Sequence, residues 1–289
     1  MPQGETPLSL VRTDAVARLA AAGIASADVD AELLIGHVLG LSRGAVQARI
    51  VMGAVASAEQ AEGILALVDR RAAREPLQHI TGRAPFRGLE LHVGPGVFVP
   101  RPETELLAQL AIDALRADGK PEPIAVDLGT GSGAIALALA TEVPHARVFA
   151  VELSPEAHAW AARNVAEFGG GNTTLVLGDL GEAFPELDGT VSVVASNPPY
   201  VPADAVPEDP EVARHDPALA LYGGPSGLDV ITALADTAWR LLRAGGLLVI
   251  EHAEHQSGPL ADLLRARGWH AIAHHADLTG RDRATSAVR

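Results

Sequence analysis

Asn197-Pro198-Pro199-Tyr200 is the stretch of this chain best suited to chemistry. It follows a short apolar run, Val191-Ser192-Val193-Val194-Ala195, that reads as a buried strand. A stiff turn leaving a strand with an asparagine at its head suits the holding of a planar NH2 group. The Asn197 side-chain oxygen and the backbone carbonyl of Pro198 would each accept one N–H, and the Tyr200 ring offers a flat face for stacking. Pro198 keeps Asn197 out of the α region and Pro199 does the same to Pro198, so the turn is set before a ligand arrives. A nitrogen pinned this way presents its face to an electrophile. A carboxamide nitrogen is a poor nucleophile, so orientation is what such a site contributes, at best ~7–11 kcal/mol. The plain alternative is a tight turn after a buried strand.

The electrophile has a candidate cradle upstream. Asp127-Leu128-Gly129-Thr130-Gly131-Ser132-Gly133 joins an apolar strand to a helix, and in open α/β sheets ligands bind at the carboxyl ends of strands. The spacing is G-x-G-x-G, not the dinucleotide G-x-G-x-x-G, and no Lys-Ser/Thr follows to make a Walker loop. Glycines admit a ligand close to the backbone, and the helix start is expected to lend N–H donors. Glu152 ends the next strand, where a carboxylate would take both hydroxyls of a ribose. Asp179, followed by Leu180, sits where a carboxylate would meet an adenine amino group. The set fits S-adenosylmethionine, leaving S-adenosylhomocysteine as product. The competing reading is an ordinary βα turn with solvated strand-end acids. Together the two motifs point to methyl transfer onto an amide or amino nitrogen.

These motifs must be positioned by an alternation of strands and helices. Ile124–Asp127, Arg147–Glu152, Thr174–Leu177, Val191–Ser196 and Leu247–Glu251 read as strands, with two more short ones in 270–289. Helices are expected over Thr104–Leu115, Ala134–Ala140, Ser154–Phe168 (opened by Ser154-Pro155-Glu156), Leu228–Leu242 (ended by Gly245-Gly246) and Leu260–Arg267. This is an α/β pattern with a mostly parallel sheet covered on both faces. Ahead of it, residues 5–75 carry apolar positions at helical spacing. Ser26 is a candidate cap, Ser57 with Gln60 a capping box, and Gly23, Gly40 and Gly53 are stops. Between the two, Leu89, Leu91 and Val93 alternate with Glu90 and His92, Gly94-Pro95-Gly96 turns the chain, and Val97-Phe98-Val99 returns as a β-hairpin. The expected domains are therefore 1–76 (helical), 77–100 (hairpin linker) and 101–289 (catalytic). The segment 202–227 reads as a long acidic, proline-rich loop directly after the Asn-Pro-Pro-Tyr turn.

Composition narrows the chemistry. There is no cysteine in 289 residues, which excludes disulfides, thiolate nucleophiles and cysteine-held iron–sulfur clusters. A net charge of −14 gives no basic footprint for duplex DNA, so no stable nucleic-acid partner is expected. Hydrophobic residues make up 48 %, ample for a core, yet no apolar run reaches the ~18 residues of a membrane span. No signal peptide is read at the start, and a cytoplasmic monomer is expected. His252 and His255 beside Glu251 and Glu254 read as a solvated turn, and no metal is expected.

The sequence resembles the release-factor glutamine N5-methyltransferases over most of its length. The resemblance is carried by Glu75-Pro76-Leu77-Gln78-His79-Ile80-Thr81-Gly82 and by Val97-Phe98-Val99-Pro100-Arg101-Pro102-Glu103-Thr104-Glu105. It extends through Asp127–Gly133, Asn197–Tyr200, Asp216–Leu221 with Gly223 and Gly227, and Gly280–Arg283. It implies a seven-stranded class I S-adenosylmethionine methyltransferase domain behind a small helical substrate-recognition domain. By the same resemblance, Phe98 and Arg101 line a pocket for the glutamine of a Gly-Gly-Gln loop in class I peptide chain release factors. Their structural alternatives are hairpin core for Phe98 and an ion pair with Glu103 or Glu105 for Arg101. The family often places an aromatic where Leu180 stands. Asn-Pro-Pro-Tyr is shared with adenine-N6 DNA methyltransferases, and a ribosomal-protein glutamine is a further acceptor to weigh.

Overall fold

The computed structural model describes residues 5–207 and 209–289, which divide into two units. The first comprises residues up to Gly82 together with Asp209–His215. In order it holds β1 (Glu5–Pro7), α1 (Leu8–Ala21), α2 (Ala27–Leu39), α3 (Arg43–Val51), β2 (Val55–Ser57), α4 (Ala58–Ala72) and α5 (Leu77–Thr81). Leu8, Val11, Ala15 and Leu19 of α1, Leu34 and Ile35 of α2, and Ile64 and Val68 of α4 make its core. Each Leu or Ile so buried is worth roughly 1.5–3 kcal/mol. Ser57 and Gln60 form the reciprocal capping box. Ser26 precedes α2 but does not cap it, because its hydroxyl turns to the Asp30 carboxylate at 2.8 Å. Asp30 in turn accepts from Arg71, buried on α4, at 2.8 Å.

The second unit holds residues from Arg83 onward, apart from 209–215. It opens with a hairpin, β3 (Arg83–Phe86) against β4 (Leu89–His92), tightened around Arg87-Gly88. The hairpin is thus one strand earlier than the alternation predicts. Gly94-Pro95-Gly96 does turn the chain, but Val97 and Val99 bury themselves beside Ala157 and Trp160 and make no ladder with β4. There follow α6 (Thr104–Ala117), β5 (Ile124–Leu128), α7 (Ala134–Glu142), β6 (Arg147–Glu152), α8 (Pro155–Phe168), β7 (Thr173–Leu177) and β8 (Val191–Ser196). Then come α9 (Pro210–His215, in the first unit), α10 (Ala218–Leu221), α11 (Asp229–Leu241), β9 (Leu242–Glu251), α12 (Ser257–Ala266), β10 (His270–Ala276) and β11 (Asp282–Val288).

Seven strands form one sheet in the order β10-β11-β9-β8-β5-β6-β7. The pairings from β9 through β7 are parallel, and β11 is antiparallel to both its neighbours. Every residue of β8 is buried, as a strand covered on both faces must be. This is the class I methyltransferase sheet. The order reverses between β5 and β8, so their carboxyl ends lie side by side, with Asp127 opposite Ala195.

Two expected boundaries move. Helix α11 stops at Leu241, before the glycine pair, and Gly245-Gly246 fall inside β9. There Val191 pairs with Leu242 but Val193 pairs with Leu247, a bulge that Gly245 permits by adopting φ +73°. The segment 202–227 is not bare loop, since α9 and α10 lie within it. Among the described residues no helix is long and apolar enough to cross a membrane.

Candidate active site

The glycine turn leaves β5 with Gly129 at φ +77° and Gly131 at φ +58°, and a side chain built on either would meet open space. Four of its backbone donors are already used. Gly129 and Thr130 N–H both bond the Val151 carbonyl at 3.0 Å, Gly131 N–H bonds Glu152 Oε2 at 2.8 Å, and Gly133 N–H bonds Thr130 O. These four N–H groups are therefore not free for a ligand. Asp127 is fully buried beneath the turn, where its Oδ2 accepts from Thr130 Oγ1 at 2.6 Å and Ala136 N at 3.1 Å. Its Oδ1 has no partner. Burial pushes this carboxyl up to about 7 against those two bonds, with Glu152 adding repulsion.

Glu152 is buried at the end of β6 and clamped by two backbone donors, Gly131 N and Ser154 N, each at 2.8 Å. Ser132 is buried, and its carbonyl accepts from Asn164 Nδ2 at 2.9 Å. Asn164, on α8, also bonds both backbone groups of His92, so it fastens the hairpin to the glycine turn. Asp179 is exposed past β7 and accepts from Gly181 N at 2.7 Å. Leu180 packs partly into the main core cluster. The turn, the Glu152 clamp and the unpartnered Asp127 oxygen fit S-adenosylmethionine, whose adenosine carries no phosphate.

At the head of the Asn-Pro-Pro-Tyr turn, Ser196 closes β8 by donating its hydroxyl to the Leu128 carbonyl at 2.5 Å. Asn197 comes next, half-buried, and its Nδ2 donates one N–H to Thr104 Oγ1 at 3.2 Å, which leaves Oδ1 to accept from a ligand. Pro198 is buried, while Pro199 and Tyr200 are half-buried. The turn is braced from below. Gln256 Nε2 donates to the Tyr200 carbonyl at 3.0 Å, Val201 N bonds Leu221 O, and Gly223 N bonds Val201 O. A Cβ on Gly223 would lie 2.4 Å from Pro199 O, and one on Gly227 would lie 2.2 Å from Tyr200 O. Only glycine lets these strands of backbone approach so closely.

Arg101 does not pair with Glu103 or Glu105. Its guanidinium bonds Asp216 Oδ2 at 2.9 Å and lies over the Phe98 ring, 5.1 Å from its centre. Glu105 instead accepts from Arg87 N. Phe98 is half-exposed and joins no core cluster.

Glu251 and His252 do not form a solvated turn, since both are buried at the end of β9. His252 reaches Thr285 Oγ1 at 2.7 Å, and Thr285 also meets His274 Nδ1 at 2.9 Å. Burial pushes the Glu251 carboxyl up to about 7 and Glu103 adds to the shift, while the hydroxyls of Thr104 and Tyr200 and the charge of Arg283 oppose it. Burial and the nearby Glu251 charge also raise the Tyr200 phenol, which stays protonated. Among the described residues no cluster of His, Cys, Asp or Glu could hold a metal.

Asn164 and Gln256 therefore belong to the surroundings of the two motifs although no motif of their own announces them, and Thr104, from the Val97–Glu105 segment, and Glu251 join them. Their one signal in the sequence is position: Glu251 ends a strand at the same sheet edge as Asp127 and Ser196.

A model of the PrmC N-terminal domain matches residues 11–82, and a methyltransferase-domain model matches residues 125–209. A release factor glutamine methyltransferase of Streptomyces coelicolor is 51 % identical across 94 % of this chain and 95 % of its own. A 4-amino-L-phenylalanine/4-methylamino-L-phenylalanine methyltransferase of Streptomyces pristinaespiralis is 46 % identical across 70 % of this chain and 69 % of its own. The hMettl16 catalytic domain, 14 % identical, shares the fold with a TM-score of 0.56 over 82 % of this chain and 84 % of its own. The sheet order and these matches make this an S-adenosylmethionine-dependent methyltransferase. Its match to the Streptomyces coelicolor relative runs through nearly the whole of both chains, and the chain belongs to the release factor glutamine methyltransferase family.

Proposed function

We propose that this enzyme methylates the side-chain N5 of the glutamine in the Gly-Gly-Gln motif of class I peptide chain release factors, and so supports translation termination. The observation that carries the reading is the Asn197 amide. Its nitrogen donates to Thr104 and its oxygen is left to accept, at a strand end hydrogen-bonded to the start of the glycine turn. In this reading Asn197 Oδ1 and the Pro198 carbonyl accept the two N–H bonds of the glutamine amide. Tyr200 packs on the amide plane, and Phe98 with Arg101 lines the approach. Asp127, Gly129–Gly133, Glu152, Asp179 and Leu180 hold the methyl donor, whose sulfonium supplies the electrophilic methyl. Glu152 takes the ribose hydroxyls. The amide proton becomes acidic once the nitrogen is methylated and leaves afterwards, so Asn197 needs no prior deprotonation of the substrate. The helical domain over 1–76 recognises the release factor, 77–100 links it to the catalytic domain over 101–289, and the enzyme works as a cytoplasmic monomer.

The relative named for 4-amino-L-phenylalanine favours one second reading, an arylamine nitrogen held by the same two acceptors. Mass spectrometry separates the acceptors. The enzyme and S-adenosylmethionine are incubated with a full-length release factor, a ribosomal protein fraction, double-stranded DNA and 4-amino-L-phenylalanine in parallel. One added methyl on the Gly-Gly-Gln glutamine, absent with Asn197→Ala, is the expected result. A methyl found only on another acceptor overturns the proposal.

A further inference from the structure

We infer that Asn164 is a positioning residue for the methyl transfer. From the buried face of α8 it locks the glycine turn and the segment leading to Phe98 and Arg101 at one fixed spacing. The inference rests on the proposed reading of the turn as the donor site and of Phe98 with Arg101 as the lining of the acceptor approach. The face consists of Ala157, Ala161 and Asn164, the buried residues of this helix, which recur at helical spacing. The two alanines let the helix come close. Ala157 packs with Val97 and Val99. Ala161 lies against the turn, where a Cβ built on Gly133 would meet its Cα and Cβ at 3.8 Å. Asn164, fully buried, completes the stripe with the one polar side chain on it.

Its Nδ2 donates to the Ser132 carbonyl and to the His92 carbonyl, each at 2.9 Å, and its Oδ1 accepts from His92 N at 2.8 Å. Aspartate of the same size lacks the two donors, and leucine lacks donors and acceptor alike. The first half of the glycine turn is held from β6, where the Val151 carbonyl takes Gly129 and Thr130 and Glu152 takes Gly131. Asn164 holds the second half, at Ser132, from α8. With its other bonds it grips the end of β4, from which the chain runs through Gly94-Pro95-Gly96 to Phe98 and Arg101. Val97–Val99 make no ladder with β4, so α8 does the fixing. Trp160 Nε1 donates to the Pro95 carbonyl at 3.1 Å, and its ring sits where a Cβ on Gly94 would approach to 2.4 Å. A turn and a segment tied to one helix cannot drift apart. For reacting groups held near attack geometry, a misplacement of about 1 Å costs up to about 100-fold in rate.

Hydrogen exchange of the full chain, with and without S-adenosylhomocysteine, tests this together with two substitutions. In the wild type the ligand should slow exchange at the glycine turn and also across residues 92–99. In Asn164→Ala the protection of 92–99 should be lost. The same variant should bind S-adenosylhomocysteine roughly 3- to 10-fold more weakly by calorimetry, the scale of one buried hydrogen bond. Its kcat on a release factor should fall roughly 10- to 100-fold. Both constants are measured well below the melting temperature of the variant, where a purely structural residue would leave them unchanged. Glu167→Ala is the control. It removes the contact of Glu167 with His92 Nε2 at 2.6 Å, between the same helix and the same hairpin, and keeps the Asn164 bonds, so both constants should hold. A wild type in which the turn gains protection and 92–99 does not would overturn the inference, whether or not Asn164→Ala folds. Protection of 92–99 that survives in Asn164→Ala, or wild-type constants in that variant, would overturn it too. A turn left unprotected sinks the donor-site reading and the inference with it. A wild type that shows the linked protection and methylates no release factor sinks the acceptor assignment and leaves the role of Asn164 standing.

Discussion

The Ser196 hydroxyl donates to the carbonyl of Leu128, joining the last residues of two neighbouring parallel strands. Leu128 opens the glycine turn and Ser196 opens the Asn197–Tyr200 turn (the acceptor turn of the proposed function), so one buried hydrogen bond sets the spacing between the two turns. Ser196→Ala leaves a buried carbonyl unpaired, at a cost of about 1–3 kcal/mol. Urea unfolding should report that loss. Turnover should fall further than stability alone accounts for, because the two turns lose their common fastening.

Gly227 tolerates no side chain. At φ +74°, a Cβ there lies 2.2 Å from the Tyr200 carbonyl. Gly227→Ala should push the acceptor turn out of place, lowering the melting temperature and abolishing methyl transfer, with S-adenosylmethionine binding retained. Calorimetric titration with the cofactor separates the two effects.

Asp127 and Glu251 both have folded-state pKa values raised to about 7 by burial. For an acid shifted upward, the folded state holds its proton more tightly than the unfolded chain does. The stabilisation is complete below the unfolded pKa and is lost as pH rises through about 7. Glu251→Gln, which keeps the shape and cannot ionise, should therefore gain stability over the wild type between pH 5 and 8. The gain is on the order of 3 kcal/mol by linkage. Chemical denaturation at the two pH values measures it.

A cation brought next to Asp127 lowers its pKa again. S-adenosylmethionine carries a sulfonium, so its binding near pH 7 should release a fraction of a proton. Titration calorimetry in buffers of different ionisation enthalpy would show the release, and Asp127→Asn should remove it.

In the helical unit, Glu211 of α9 accepts from Arg71 at 2.7 Å and from Arg74 at 3.2 Å. Burial raises its pKa, but hydrogen bonds involving Asp209, Arg71 and Arg74 overcome it and hold the carboxyl down to about 2. This shift stabilises the fold above the unfolded carboxylate range and is lost as pH falls through about 2. Glu211→Ala should cost about 1–3 kcal/mol at pH 7, with the deficit shrinking below pH 4, as read by acid and urea titrations.

The parts legible in the sequence are those governed by local rules. β6, β8 and the body of α8 follow from apolar runs and the Ser154-Pro155 cap, and the Ser57–Gln60 box is visible in spacing alone. What escaped is governed by partners distant in the chain. Val97–Val99 alternates like a strand, but its side chains are claimed by Trp160 and Ala157, and β4 finds its partner on the other side. Gly245-Gly246 carries every mark of a helix stop and instead relieves a bulge whose need arises from β8. Glu251 and His252 look like polar turn residues because nothing in their neighbourhood reveals that α6, β11 and the acceptor turn close over them. Arg101 had two carboxylates within reach along the chain and took Asp216, 115 residues away.

The membership of Asp209–His215 in the helical unit has a consequence for the order in which this protein is made. Arg71 and Glu211 are 140 residues apart. A chain emerging from the ribosome presents α1 to α5 long before the segment that completes them, and closing so long a loop is entropically costly. The usual pattern, in which an N-terminal domain finishes folding before the next is translated, therefore leaves out this ion pair. Arg71 therefore lacks its Glu211 partner until the segment beyond Asn197 has been synthesised. A fragment ending at Gly82 would keep every residue of that unit's core and lack the Glu211 carboxylate.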